Sequence, residues 1–230
     1  MGTTVSFPSN GSEAAGYLAE SASGSGAGVL VIQEWWGLDP SLKGVADKLA
    51  AEGFTALAPD LYHGELAGHT EMDKAAQLMN ALPQDRAARD MVGAIDYLLA
   101  HSAVSGDRVG VVGFCMGGML SFVIGAVAGD KVGAVVPFYG APLGDGGPDW
   151  SNLSAPIQGH FAENDDFFPP DAVNALGEKL EAMGKSVTIY VYPGTGHAFA
   201  GDHNALGTFD NAAAAQAWSR TLEFLRKNLT

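Results

Sequence analysis

Cysteine is almost missing from this chain: 230 residues carry one, Cys115. No internal disulfide can form, so the fold does not depend on oxidising surroundings. Cations are scarce too, with 12 Lys and Arg against 26 Asp and Glu and a formal net charge of −14. A field of that sign repels phosphate backbones and anionic lipid, so nucleic acid is not expected as a partner. No apolar run reaches the length of a membrane span, and no membrane partner is expected. His-Glu-x-x-His, cysteine pairs and spaced histidine pairs on a helix are all absent, so no metal is expected. The opening MGTTVSFPSN has no basic segment followed by an apolar core, so no secretory signal is expected and the location is read as cytoplasmic. It does fit the loose Met-Gly-x-x-x-Ser pattern for N-myristoylation, but VSF reads better as a first strand and no basic cluster follows.

What is present is a globular composition, 47% apolar and 17% charged. Its length suits one substantial core, and residues 1–230 are expected to form one domain. Val5–Phe7 reads as a short strand, Asn10-Gly11 as a turn and Glu13–Glu20 as an outer antiparallel strand. VLVIQ from Val29, FTALAP, RVGVVGF, VGAVVPFYG, PIQGHFA and SVTIYVYP then read as buried strands. Helical spacing falls between them: 42–52 stopping at Gly53, 71–101 broken near Pro83, 116–127, 171–183 and 211–229. LGDGGPDWSNLSAP, residues 143–156, is a turn-rich loop. Strands alternating with helices argue for an α/β fold, a mostly parallel sheet with helices on both faces. Ligands in such sheets sit beyond the carboxyl ends of the strands. Polar residues fall there repeatedly: Glu34, Cys115, Asp165 and His197.

The cysteine lies in GFCMGG, which follows a strand and opens a helix. Gly-x-Cys-x-Gly-Gly has the form of a nucleophile elbow with cysteine in place of serine. So sharp a turn leaves no room for neighbouring side chains, and Gly113 and Gly117 supply the missing bulk, while Gly118 lets the helix pack closely. The helix N-terminus points free N–H groups at the reacting centre. A buried structural cysteine in a glycine-rich turn is the competing reading. PGTGHAF puts His197 in a tight turn after the last strand, where a histidine can take a nucleophile's proton. His203 is a weaker substitute, and His160, inside a strand, reads as a core residue. FAENDDFFPP offers Asp165 and Asp166 to hold the imidazole, and spacing does not choose between them. The chain order Cys, Asp, His is that of an α/β-hydrolase triad.

Through VIQEWWGL, APDLY, GFCMGG, ENDDFFPP and GTGHAF the sequence resembles the dienelactone hydrolase family, a branch of the α/β-hydrolase fold. The resemblance runs through nearly the whole chain. It implies a mostly parallel sheet of about seven or eight strands with helices on both faces. It implies a triad of Cys115, Asp165 and His197. Glu34 matches a carboxylate that in relatives interacts with the resting cysteine and helps generate the thiolate. The N–H groups of Trp35 and Met116 are implied as the oxyanion hole. Trp36, Tyr62 and Phe199 are expected to wall the pocket, with ordinary core packing an equal alternative for Trp36. The founding enzymes grip a substrate carboxylate with two arginines. Here residues 69–79 contain no arginine and the second position is Gly201, with Lys74 a poor stand-in for an arginine fork.

The expected reaction is hydrolysis of a small ester or lactone through a cysteine thioester, with no cofactor. Short-chain esterase or thioesterase activity is the nearest alternative. A non-catalytic small-molecule binder or redox sensor is the alternative from another class. A monomer or weak homo-oligomer is expected.

Overall fold

The computed structural model describes residues 1–9, 11–144 and 147–229. Asn10 of the expected Asn10-Gly11 turn, and residues 145–146 of the 143–156 loop, lie outside the described residues. Eight strands form one sheet: β1 (Thr3–Ser9), β2 (Ser12–Ala19), β3 (Gly26–Ile32), β4 (Thr55–Pro59), β5 (Val104–Phe114), β6 (Val132–Phe138), β7 (Ile157–Asn164) and β8 (Val187–Gly196). Their order across the sheet is β1-β2-β4-β3-β5-β6-β7-β8. β1 and β2 run antiparallel, and β3 to β8 are mutually parallel. The helices are α1 (Pro40–Ala51), α2 (Met72–Ala81), α3 (Gln84–Ala100), α4 (Met116–Ala128), α5 (Pro170–Ala182) and α6 (Asn211–Leu229). Among the described residues no helix is long and apolar enough to cross a membrane.

The sheet separates two apolar layers, and the alternation of strand side chains decides which residue joins which. On β3, Leu30 and Ile32 enter the layer that holds Met91, Ile95 and Leu98 of α3 and Phe122 and Ile124 of α4. Val29 and Val31 enter the opposite layer, with Leu42, Ala46 and Leu49 of α1 and Leu222 and Leu225 of α6. Because both faces are covered, the central strands read as unbroken apolar runs.

Local chemistry sets the boundaries. Asp39 caps α1 by accepting from the Leu42 N–H at 2.8 Å, and Pro40 takes the first helical position. Pro83, with ψ 117°, separates α2 from α3, since it cannot continue the ladder of α2. β5 begins at Val104, earlier than the expected RVGVVGF. Val104 and Ser105 pair with Gly26 and Ala27, and a bulge then shifts the register before Val109 meets Gly28. The N–H of Gly2 donates to Tyr17 Oη and Asp47, tying the chain's start to the β2 edge.

The arrangement that matters for chemistry is the place where strand order reverses. The chain steps outward from β3 to β4, then returns to the other side of β3 as β5. A crevice opens beyond the carboxyl ends of strands at such a reversal. Register keeps the ends level: Ile32 pairs with Gly113, Phe114 with Phe138, Phe138 with His160 and Asn164 with Gly196. The residues just after β3, β5, β7 and β8 are therefore delivered to one edge.

Candidate active site

Cys115 is the single residue between β5 and α4 and has φ 52°, ψ −115°. A non-glycine residue rarely adopts that backbone conformation, which is stored strain of the kind found at reacting centres. Surrounding contacts hold it there. A Cβ added to Gly113 would lie 2.0 Å from the Gly117 carbonyl oxygen, and one on Gly117 would lie 2.4 Å from that of Ile32. Gly118 approaches the Phe138 carbonyl at the end of β6 just as closely. Gly140, which sequence reasoning passed over, belongs to the same set: a Cβ there would stand 1.9 Å from the Cys115 carbonyl oxygen. The Cys115 N–H donates to the Phe138 carbonyl, so the end of β6 packs directly against the elbow.

Asp165 and His197 follow β7 and β8. His197 Nδ1 lies 2.8 Å from Asp165 Oδ2, and both side chains are almost wholly buried. The other oxygen, Oδ1, accepts the N–H groups of Phe167 and Phe168 at 2.9 and 3.1 Å. Asp165 is thus fixed on both oxygens, whereas Asp166 is exposed. Phe168 stacks on the imidazole, with Phe167 and Tyr139 set against it edge-on. Among the described residues His197 Nε2 has no hydrogen-bond partner, and no hydrogen bond joins it to Cys115 Sγ. Both residues line one cavity of about 430 Å³ beyond the strand ends.

Burial pushes the pKa of Cys115 well up, the Glu34 carboxylate and then Asp165 push the same way, and the Met116 N–H works against them. Glu34 comes from the turn after β3 and lines the same cavity. Its Oε2 lies 2.8 Å from His203 Nε2, and among the described residues no hydrogen bond of ordinary geometry reaches its buried Oε1, with the Tyr139 phenol the neighbouring group that interacts with this carboxylate. For His203, desolvation alone would lower the pKa. The hydrogen bond and charge of Glu34, with Asp39 and Asp202, outweigh it and raise the value. Behind His203 stands His69, 4.3 Å away ring to ring, whose Nε2 meets Asp39 Oδ2 at 2.6 Å.

His203, considered first as a substitute base, is therefore Glu34's partner. Its ring fills the space beside Gly201, where an added Cβ would come within 2.8 Å of Nε2. No local signal announces this pair, because 169 residues separate its members.

The backbone N–H of Met116 is the first of α4 and has no intrahelical acceptor. That of Trp35 donates to no acceptor among the described residues. Trp36 is 2% exposed and lines the cavity with Trp35. Two expected wall residues do not line it. Phe199 is fully buried between Tyr139 and Tyr192 in the α1–α6 layer, because its side chain points away from the strand ends. Tyr62 is buried beneath the site, with its hydroxyl 3.2 Å from the Trp35 carbonyl and 3.5 Å from Met116 Sδ. Its contact is thus with Trp35 and Met116, the two residues expected to supply the oxyanion N–H groups. Lys74 is exposed on α2 and does not line the cavity. His160 is a fully buried core residue, bonded to Tyr192 and Thr221, and burial lowers its pKa to about 3. Among the described residues no group of three His, Cys, Asp or Glu side chains is arranged to hold a metal ion.

Relatives with this architecture are numerous. "Protein usf" of Aquifex pyrophilus is 38% identical over 238 residues, covering all of both chains. A protein of Aquifex aeolicus named "Putative carboxymethylenebutenolidase" is 34% identical, again over both full lengths. The crystal structure titled as a "Putative Dienelactone Hydrolase" from Klebsiella pneumoniae superposes with a TM-score of 0.84 at 26% identity. That match covers 99% of this chain and 98% of the other. Residues 14–229 match the dienelactone hydrolase family, and with nearly the whole chain inside that match the protein belongs to this family of α/β-hydrolases.

Proposed function

We propose that the protein hydrolyses carboxylic esters or lactones through a thioester on Cys115. The observation that carries this reading is the strained elbow cysteine and the Asp165-anchored His197 lining one cavity. The names of the relatives, carboxymethylenebutenolidase among them, agree in reaction class.

In the proposed cycle the thiol proton passes to the Glu34 carboxylate, whose charge acts on Cys115. The thiolate attacks the substrate carbonyl. The N–H groups of Trp35 and Met116 hold the oxygen that becomes negative, and Tyr62 keeps that pair in register from below. The tetrahedral adduct collapses, and the alkoxide leaves with the proton that Glu34 took. Water then enters, His197 Nε2 takes one of its protons, and the hydroxide attacks the thioester. The acid departs, and the sulfur recovers a proton from His197. Asp165 accepts from His197 Nδ1 and fixes the imidazole tautomer. Water and ester go in and acid and alcohol come out, with every proton returned.

Replacing Cys115 by alanine tests the nucleophile. Turnover is expected to vanish, and intact-protein mass analysis of the parent during turnover is expected to show the acyl mass on the peptide containing Cys115. Hydrolysis by pure Cys115→Ala at the parent rate would remove the thioester from the account.

A further inference from the structure

The cavity's lining is chemically one-sided. Helix α2 contributes Met72 and Met79, α4 adds Met119, and the loops add Phe167, Phe168 and Leu206. Among the described residues no lysine or arginine lines it. Its two histidines are already committed, His197 to Asp165 and His203 to Glu34. Among the described residues the one carboxylate in the lining is that of Glu34.

The rim repeats the pattern. Met72, Phe167 and Leu206 are 37%, 67% and 39% exposed, so apolar surface stands in water where the cavity opens. Large exposed apolar side chains grouped around a concave site mark the chemistry of what enters it. Methionines are unbranched and polarizable and re-pack around chains of different shape.

On the hydrolase reading just given, we infer that the substrate is a neutral ester with an apolar acyl chain, held by the methionine-lined cavity. The acyl group is the part that stays on Cys115 while the alcohol leaves, so it must be sheltered until water attacks. A substrate carboxylate in the same place would lose its hydration, meet no guanidinium or ammonium, and face Glu34.

The test is a series of p-nitrophenyl esters assayed with purified protein: acetate, butyrate, hexanoate, and an ester with a chain as long as hexanoate's that ends in a carboxylate. A lactone bearing a carboxylate completes the set, and Cys115→Ala is run beside each. From acetate to hexanoate kcat/KM is expected to rise about fourfold per methylene, the factor for burying one CH₂. The carboxylate-ended ester and the lactone are expected to be at least ~10²-fold poorer than hexanoate. Met79→Lys is expected to flatten the chain-length series and narrow that gap. A kcat/KM that falls with chain length, or that is equal for charged and neutral esters, overturns the inference. If the carboxylate lactone is the best substrate and Cys115→Ala abolishes its turnover, this inference fails and the hydrolase reading stands. If no ester or lactone is turned over, both fail.

Discussion

Replacing Gly140 by alanine asks whether the elbow's backbone, and not only its sulfur, sets the rate. The added Cβ would sit 1.9 Å from the Cys115 carbonyl oxygen and 2.9 Å from its carbon. Relief to ordinary van der Waals contact requires one partner to move by about 1 Å or more. The Cys115 carbonyl is not free to move, because it accepts the N–H groups of Gly118 at 2.9 Å and Met119 at 3.2 Å. Displacing that peptide carries with it the Met116 N–H, the proposed oxyanion donor. Losing one such donor costs about 2.7–4 kcal/mol in the transition state, a fall in kcat of about 10²–10³. Overpacking adds a loss of about 1–3 kcal/mol in stability. The assay pairs kcat for ester hydrolysis with urea unfolding, at a temperature where circular dichroism shows the variant folded. Gly44→Ala is the control: it lies inside α1 with nothing within 4 Å of its added Cβ. That variant is expected to gain about 0.5–1 kcal/mol and keep its activity. A folded Gly140→Ala with kcat within threefold of the parent would refute the reasoning.

Three further outcomes can be measured on the same preparation. Asp165→Asn leaves an acceptor for Phe167 and Phe168 but reverses the hydrogen bond to His197, and kcat is expected to fall by about 10³–10⁴; a loss under tenfold contradicts the proposed role. His160, lowered to about 3 by burial, stays neutral in the fold while the unfolded chain takes up a proton below pH 6.5. Its contribution to stability is therefore complete above that pH and is lost on acidification, by about 1.4 kcal/mol per pH unit down to about 3. Urea midpoints of the parent and His160→Gln between pH 7 and 4.5 would show the difference in slope. His203 carries the opposite sign: its pKa is raised, so the stability from its pair with Glu34 is present below pH 6.5 and is lost as pH rises through the folded value. Glu34→Gln is expected to remove that dependence.

The sequence made some of this legible and hid the rest for identifiable reasons. Each central strand carries its own apolar run, and the polar residue that interrupts it marks the strand's carboxyl end. Glu34, Cys115, Asp165 and His197 could be placed at one edge of a sheet from that pattern alone. GFCMGG carried the turn, because the glycines next to the elbow are also next to it in the chain. Gly140 was missed because it closes on Cys115 from the segment after β6, 25 residues further along the chain. Between Asp165 and Asp166 the difference is burial, which no spacing records. Phe199 was misplaced because the chain turns at Ala198, with φ 63°, and sends the aromatic ring into the layer below. The Glu34–His203 and His69–Asp39 contacts join distant segments and leave no periodic trace. The bulged start of β5 rests on pairing with Gly26 and Ala27, a tertiary fact rather than a propensity.

Having only one sulfhydryl makes a protein vulnerable to a single chemical injury, since one peroxide molecule could silence it. Burial and the Glu34 charge both favour the protonated form of Cys115, which works against this. Peroxide and alkylating agents attack the thiolate, and a resting thiol offers them little to react with. On the proposed mechanism the cysteine loses its proton only when a carbonyl is in place, so iodoacetamide is expected to label it far more slowly than it labels free cysteine at the same pH.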